Sequence, residues 1–319
     1  MTKRLLATLV ACAAFYLPLA HAQYPSKPIR WIVPVPAGGS SDAGARIIGA
    51  QLSQRIGQPI IVENRVGADG AIAGDAVARS PADGYTFLFT NATTMVGVAT
   101  LRKSPPYDPR TAFTPVTMLG RLHFFLYTHP SVPVTTLKEL IAYARANPGK
   151  LNYGTGNVTA HIAMSQLMKS TGISMVHVPY KGEGASIPDF IAGRFDVSFI
   201  TTGSAINYVK DGRLRILATL GDKRSGFAPD IPTLEEAGSP GARVSGWNAL
   251  LGPAKLPADI VALMGRETNA VLAMPDVRQK LALQFFDAEG STPEVLAAFI
   301  RDQLALWSGA VKDAGIQPE

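Results

Sequence analysis

A chain of 319 residues, 47% hydrophobic and 17% charged, is long enough for two domains, too apolar for disorder and too interrupted for a set of membrane spans. Its 30 Gly and 24 Pro are scattered without a collagen period, so they punctuate turns. The formal charge of +6 is spread thinly, with no long run of Lys or Arg, which argues against nucleic-acid binding and membrane-surface adhesion.

In chain order, Lys3 and Arg4 precede an apolar run from Leu5 to Leu19 that ends in Ala20-His21-Ala22. This is the order of a secretory signal peptide over 1–22, and a run of about 15 residues is short of the roughly 20 that span a bilayer. Cleavage after Ala22 removes Cys12, the sole cysteine, so the mature chain has no disulfide, thiolate metal site or cysteine nucleophile. Without Lys3 and Arg4, 28 basic residues face 24 acidic ones, a formal charge of +4. The expectation is a soluble, exported, periplasmic protein.

Ile29 to Val35 reads as a strand, followed by Pro36-Ala37-Gly38-Gly39-Ser40-Ser41-Asp42 and a helix with Ala45, Ile48, Leu52 and Ile56 on one face. Strands are expected at Ile60 to Glu63, Tyr85 to Thr90, Leu151 to Gly154, Met175 to Tyr180, Asp196 to Ile200 and Leu214 to Leu220, alternating with helical segments. That alternation gives an α/β fold with mainly parallel sheets covered by helices. Two long extended stretches, Phe113 to His129 and Val244 to Pro253, are long enough to leave one sheet and enter another. The last segments, Ile260 to Leu272, Asp276 to Gln284 and Pro293 to Asp313, are helical and expected to return to the first domain. The division is then 23–122 plus 248–319 as domain 1 and 123–247 as domain 2, a hinged clamshell that closes around a small molecule.

Open α/β sheets bind ligands beyond the carboxyl ends of their strands. Three glycine-rich turns stand there: Gly38, Gly39, Ser40, Ser41 and Asp42; Thr155, Gly156, Asn157 and Thr159; and Lys181, Gly182 and Gly184 with Glu183 between them. Free N–H groups at the following helix starts favour an anion. Each turn alone is equally compatible with a tight strand-to-helix connection; three of them, divided between two domains, point to a cleft for a small anion. The sequence lacks a G-x-S-x-G elbow, a phosphate-binding P-loop, an H-E-x-x-H pair and a dinucleotide fingerprint. His123, His129, His161 and His177 include no pair at helical metal spacing. His177 reads as a sheet residue and His161 as either a cleft or a surface residue. Trp247 is either hinge packing or a wall of the binding pocket.

The succession Tyr24-Pro25-Ser26-Lys27-Pro28-Ile29, Pro36 to Asp42, Val62-Glu63-Asn64-Arg65, Gly84-Tyr85-Thr86, Leu151-Asn152-Tyr153-Gly154, His177-Val178-Pro179-Tyr180-Lys181-Gly182, Asp230-Ile231-Pro232-Thr233 and Gly290-Ser291-Thr292-Pro293-Glu294 resembles the tripartite tricarboxylate transporter receptors, the Bug or TctC family of extracytoplasmic solute receptors. The resemblance spans essentially the whole mature chain. It implies a type II periplasmic-binding fold with a carboxylate held between two domains by backbone amides, hydroxyls and waters. By the same resemblance Gly38, Gly39, Ser40 and Asp42 match the first binding loop, Thr155, Gly156 and Asn157 the second, and Lys181, Gly182 and Gly184 the third. Two departures stand out: the first loop has Ser41 where Thr precedes Asp in many relatives, and the third carries Glu183 where Lys-Gly-Gly is common. Pointing inward, Glu183 would repel a second carboxylate or attract an amine; pointing outward, it is a solvated loop residue.

The leading expectation is therefore a receptor, without enzyme activity, cofactor or metal, that captures a small carboxylate and hands it to membrane transporter subunits as a monomer. A protein presenting its ligand to a sensor kinase ectodomain makes the same demands on the sequence, and an exported carboxylate-acting enzyme is the least supported reading. With Lys181 the sole cation in the loops, a monocarboxylate or small dicarboxylate is expected over a tricarboxylate.

Overall fold

Runs such as Ile29–Val33 and Val197–Thr201, buried along nearly their whole length, become central strands because helices cover both of their faces. The computed structural model describes residues 24–221, 223–239, 244–313 and 316–318, with the side chains of residues 204 and 313 excepted. The expected signal peptide, 1–22, lies outside the described residues.

The first sheet has the order β11-β4-β10-β3-β1-β2 and the second β7-β6-β8-β5-β9. The first contains β1 (Ile29–Val33), β2 (Ile60–Asn64), β3 (Thr86–Asn91), β4 (Phe113–Leu122), β10 (Gly246–Pro253) and β11 (Phe286–Ala288). The second contains β5 (Phe124–Thr128), β6 (Asn152–Thr155), β7 (Val176–Pro179), β8 (Val197–Thr201) and β9 (Arg215–Leu220). β4 and β5 thus belong to different sheets with His123 alone between them.

Each sheet is mixed. β1 is parallel to β2 and β3, and β6 to β7 and β8, whereas β10 is antiparallel to β3 and β4, and β5 to β8 and β9. The reversed inner strands β10 and β5 are the ones that arrive from the other sheet: a chain crossing between facing edges must run away from that edge on entry. β10 begins at Gly246 and pairs Trp247 with Arg121, so Gly246 and Trp247 belong to the first sheet, two residues earlier than the expected boundary.

One face of the first sheet packs Trp31, Phe87 and Phe89 against α1 (Ser40–Ile56), α8 (Ala258–Ala273) and α9 (Pro275–Ala282). Ala45, Ile48 and Leu52 are the buried stripe of α1. The opposite face forms a cluster that does not stop at the first sheet: Leu88, Met95 and Val77 of α2 (Ala71–Ala78) join Trp307 of α10 (Pro293–Asp313), then Ala160 and Met164 of α5 (Val158–Thr171), then Phe199 and Leu126 of the second sheet. The short α3 (Val98–Leu101) and α4 (Leu137–Ala146) flank this core. The far face of the second sheet packs Phe125, Tyr127 and Ile200 under α6 (Glu183–Ile191) and α7 (Thr202–Lys210).

Candidate functional site

The carboxyl ends of β1, β3, β6 and β8 lie on the edges where the chain crosses between sheets, so the turns after them face one another. On the first-sheet side, Gly38 has φ +93°, a conformation that favours glycine. Gly39, the residue before α1, has an extended φ of −82° and open space around its Cβ position, so it does not need to be glycine for backbone reasons. It provides no side-chain cap, which leaves the N–H groups of Ser40, Ser41 and Asp42 in the first turn without helical partners. Asp42 is buried and accepts from the Gly38 N–H at 3.0 Å, Arg46 Nε at 3.1 Å and Asn64 Nδ2 at 2.8 Å. Burial acts to raise its carboxyl, but the bonds from Arg46, Gly38 and Asn64 outweigh it and hold the group below its ordinary value. Asp42 and Gly38 therefore fix the loop, and Ser41 does the same by donating to Asn248 Oδ1 at 3.2 Å. Asn248 is fully buried and its Nδ2 donates to the Thr90 carbonyl at 2.9 Å.

On the second-sheet side, Asn157 caps α5: its Oδ1 accepts from the Ala160 N–H at 2.8 Å and its Nδ2 donates to Glu183 Oε1 at 2.9 Å. Glu183 is not a solvated loop residue. Its Oε1 also accepts from the Thr201 N–H at 3.2 Å and its Oε2 from Thr201 Oγ1 at 2.5 Å. A Cβ on Gly156 would stand 2.4 Å from the Glu183 nitrogen, so glycine there permits the second and third loops to touch. Thr155 and Thr159 are buried, Lys181 and Gly184 are exposed and Gly182 has φ +114°.

The two sides meet at α7. A Cβ on Gly203 would lie 2.5 Å from Ser40 Oγ and 3.2 Å from the Gln284 carbonyl oxygen. Thr202 donates through its N–H and hydroxyl to the His123 carbonyl at 3.0 and 3.1 Å, tying α7 to the first crossing. His123 Nε2 lies 2.8 Å from Asp287 Oδ2, and the Phe227 ring spans from His123 to Phe285. The expected loop residues Gly38 to Asp42, Thr155 to Asn157, Thr159 and Gly182 to Gly184 are thus gathered around one seam. Two hollows lie away from it, one of about 660 Å³ lined by Tyr107, Arg110, Arg301 and Leu304, the other of about 470 Å³ beside His161, Lys169 and Met175.

Trp247 is the clear correction. It is fully buried, with its ring edge-on to Phe299 of α10 at 5.3 Å, so it packs in the core and forms no wall of the seam. Strand alternation explains the error: Asn248, the next residue, faces Ser41 and the first loop, and Trp247 therefore points the other way. The turn Thr201-Thr202-Gly203 was missed because it has one glycine instead of a glycine pair, though it follows a strand and opens a helix as the others do. The segment from Gly67 to Gly70 was missed as well. All four of its residues, Ala68 and Asp69 included, have positive φ, a strained left-handed run beside Thr94 at the same edge of the first sheet.

Behind Thr155 stand three stacked rings, Tyr153 on His177 at 4.8 Å and His177 on His161 at 4.3 Å, with His177 Nε2 2.7 Å from Thr155 Oγ1. Burial, aided by the charge of His177, pushes His161 down to about 4, and burial lowers His177 too. Both rings favour the neutral form, which suits packing and hydrogen bonding more than proton transfer. Among the described residues no group of three His, Cys, Asp or Glu side chains is placed to hold a metal ion, and no helix is long and apolar enough to cross a membrane. Chemically, the seam presents the uncharged backbone N–H groups at the start of α1.

Residues 45–316 match the model of the tripartite tricarboxylate transporter family receptor. The chain is 33% identical to protein BugT of Bordetella pertussis over 323 residues, covering 98% of each. Its fold matches that of R. palustris Rpa4515 with adipate at a TM-score of 0.86 and 32% identity, covering 93% of this chain and all of that one. MatC from Rhodopseudomonas palustris with bound malate superposes with a TM-score of 0.82 at 27% identity, over 90% of this chain and 100% of MatC.

Proposed function

The chain belongs to the tripartite tricarboxylate transporter receptor family, and from that premise we propose that it captures a small carboxylate at the seam between its two sheets and delivers it to transporter subunits in the membrane. We place this work in the periplasm, after removal of 1–22, with the two sheets as domains that open and close. The observation that carries the reading is the uncapped start of α1: amides of Ser40 to Asp42, aimed by the Asp42 and Ser41 bonds, face the start of α7 across the seam. A carboxylate accepting several such N–H bonds gains roughly 1.5 to 3 kcal/mol from each, so no arginine is required. Adipate and malate in the related structures support an aliphatic acid of that size, and the scarcity of cations at the seam argues against a tricarboxylate such as citrate.

Mass spectrometry of small acids released from the native protein, followed by calorimetry with the acids found, tests the proposal. The expected result is a co-purifying acid that rebinds with micromolar affinity, about 8 kcal/mol. Tight citrate binding without response to smaller acids would reject the size and charge assignment, and turnover of the bound acid would reject the receptor role.

A further inference from the structure

We infer that the hollow between α3, the 105–110 turn and α10 is a second ligand site, one that takes a small amphiphile with a single negative charge and an apolar body. It lies away from the seam and stands independently of the receptor reading. Its volume of about 660 Å³ falls within the roughly 300 to 1,000 Å³ of small-molecule pockets. The sequence explains the space. Arg301, Leu304, Ala305 and Ser308 stand at i, i+3, i+4 and i+7 of α10 and so share one face of it. Ala305 and Ser308 are too short to fill the space beside that face, and Ala99 of α3 is as short.

The remaining wall is held in place without a ligand. Pro105, Pro106 and Pro109 restrict the turn, and the Asp108 carbonyl accepts from the Ala112 N–H at 2.9 Å. Tyr107 is buried and donates its hydroxyl to the Thr94 carbonyl at 2.6 Å. Gly74 leaves room for its ring, which a Cβ there would meet at 2.4 Å. The polar groups of the lining are mostly spent. Ser308 Oγ donates to the Leu304 carbonyl at 2.8 Å and Thr100 Oγ1 to the Val96 carbonyl at 2.9 Å. Arg110 is held on the Asp108 carboxylate through Nε at 2.9 Å and Nη2 at 2.7 Å, which makes that pair neutral. Arg301 has no ion pair or side-chain hydrogen bond among the described residues. Its guanidinium therefore stands as a free fork of donors, suited to a carboxylate or sulfonate, beside the apolar surface of Pro105, Pro109 and Leu304. A second charge on the ligand finds no partner in this lining.

Two dyes separate charge from apolar bulk: 8-anilinonaphthalene-1-sulfonate and N-phenyl-1-naphthylamine share their rings, and the second lacks the sulfonate. In fluorescence titrations of the full mature protein, the sulfonate is expected to bind saturably and at least about tenfold tighter than the neutral amine. Arg301→Gln should bring that ratio to within about threefold, by loss of sulfonate affinity. Ala305→Trp fills the hollow and should abolish binding of both dyes. Both residues are exposed on α10, so the circular dichroism spectrum should be kept. Equal affinity for the two dyes overturns the inference, as does the absence of saturable binding or an unaltered ratio in Arg301→Gln. Sulfonate binding that a folded Ala305→Trp retains places the dye elsewhere and overturns it too. If Ala305→Trp does not fold, the ratios in wild type and Arg301→Gln still decide.

Discussion

The turn before α1 and the turn before α5 are built alike, from glycines and hydroxyl side chains with Asp42 in the first and Asn157 in the second, and the fold treats them differently. At α1 the cap is Gly39, without a side-chain acceptor, and the nearby carboxylate of Asp42 holds Gly38, Arg46 and Asn64 from behind the loop. At α5 the cap is Asn157, whose Oδ1 accepts from the Ala160 N–H while its Nδ2 donates to the Glu183 carboxylate. The first turn has no side-chain cap, and the second is capped by its own asparagine. A glycine-rich turn before a helix is thus only half of an anion site; whether a side chain already caps the helix decides how many of its amides stay open.

The strongest test of the open side is Gly39→Val. The extended backbone at Gly39 accepts any residue and nothing lies within 4 Å of the Cβ position, so the circular dichroism spectrum should be preserved while the isopropyl group enters the seam. Affinity should fall by about 100-fold or more, roughly 2.7 kcal/mol; unchanged calorimetric affinity would remove this loop from the site. On the closed side, Gly156→Ala drives a methyl group to 2.4 Å from the Glu183 nitrogen and 2.6 Å from the Gly182 carbonyl carbon. Overpacking of this kind costs about 1 to 3 kcal/mol, so the melting temperature should drop by several degrees; no measurable drop would show that the two loops do not touch.

Asp42→Asn sharpens the contrast, since it weakens the support of the open loop without entering the seam. Loss of the Arg46 pair and of an acceptor for Gly38 should lower affinity by about tenfold, with a smaller effect on melting. If both fall in proportion, Asp42 supports the fold and not the loop. The smallest effect concerns the rings behind Thr155. Burial lowers His161 from 6.5 to about 4, so the unfolded chain binds more protons than the folded one between those values. Stability should therefore decline as pH falls through that window and be fully present above it. His161→Phe should flatten the dependence of melting temperature on pH between 6.5 and 4; an unchanged slope would assign it to other groups.

The alternation of strands and helices was legible because each strand is a short apolar run bounded by turns, and the three glycine turns were legible because their residue types are local features. What the sequence did not show is what arrives from far along the chain. Asn248 meets Ser41 across 207 residues, and nothing in Ser245-Gly246-Trp247-Asn248 says which of two neighbours faces which side until the partners of β10 are known. β11, three residues long, is too short to carry a period. Thr201-Thr202-Gly203 lacks the glycine pair that marked the other turns, and Glu183 read as a loop charge because its donors, Asn157 and Thr201, lie on two other elements.

The buried cluster that runs from Leu88 through Trp307 and Met164 to Phe199 also bears on how the molecule comes apart. Because neither sheet has this face to itself, unfolding one would strip apolar cover from the other, so the stabilities of the two are coupled. A small molecule held at the seam then protects the whole chain at once: each tenfold excess over its dissociation constant adds about 1.4 kcal/mol to the global unfolding free energy.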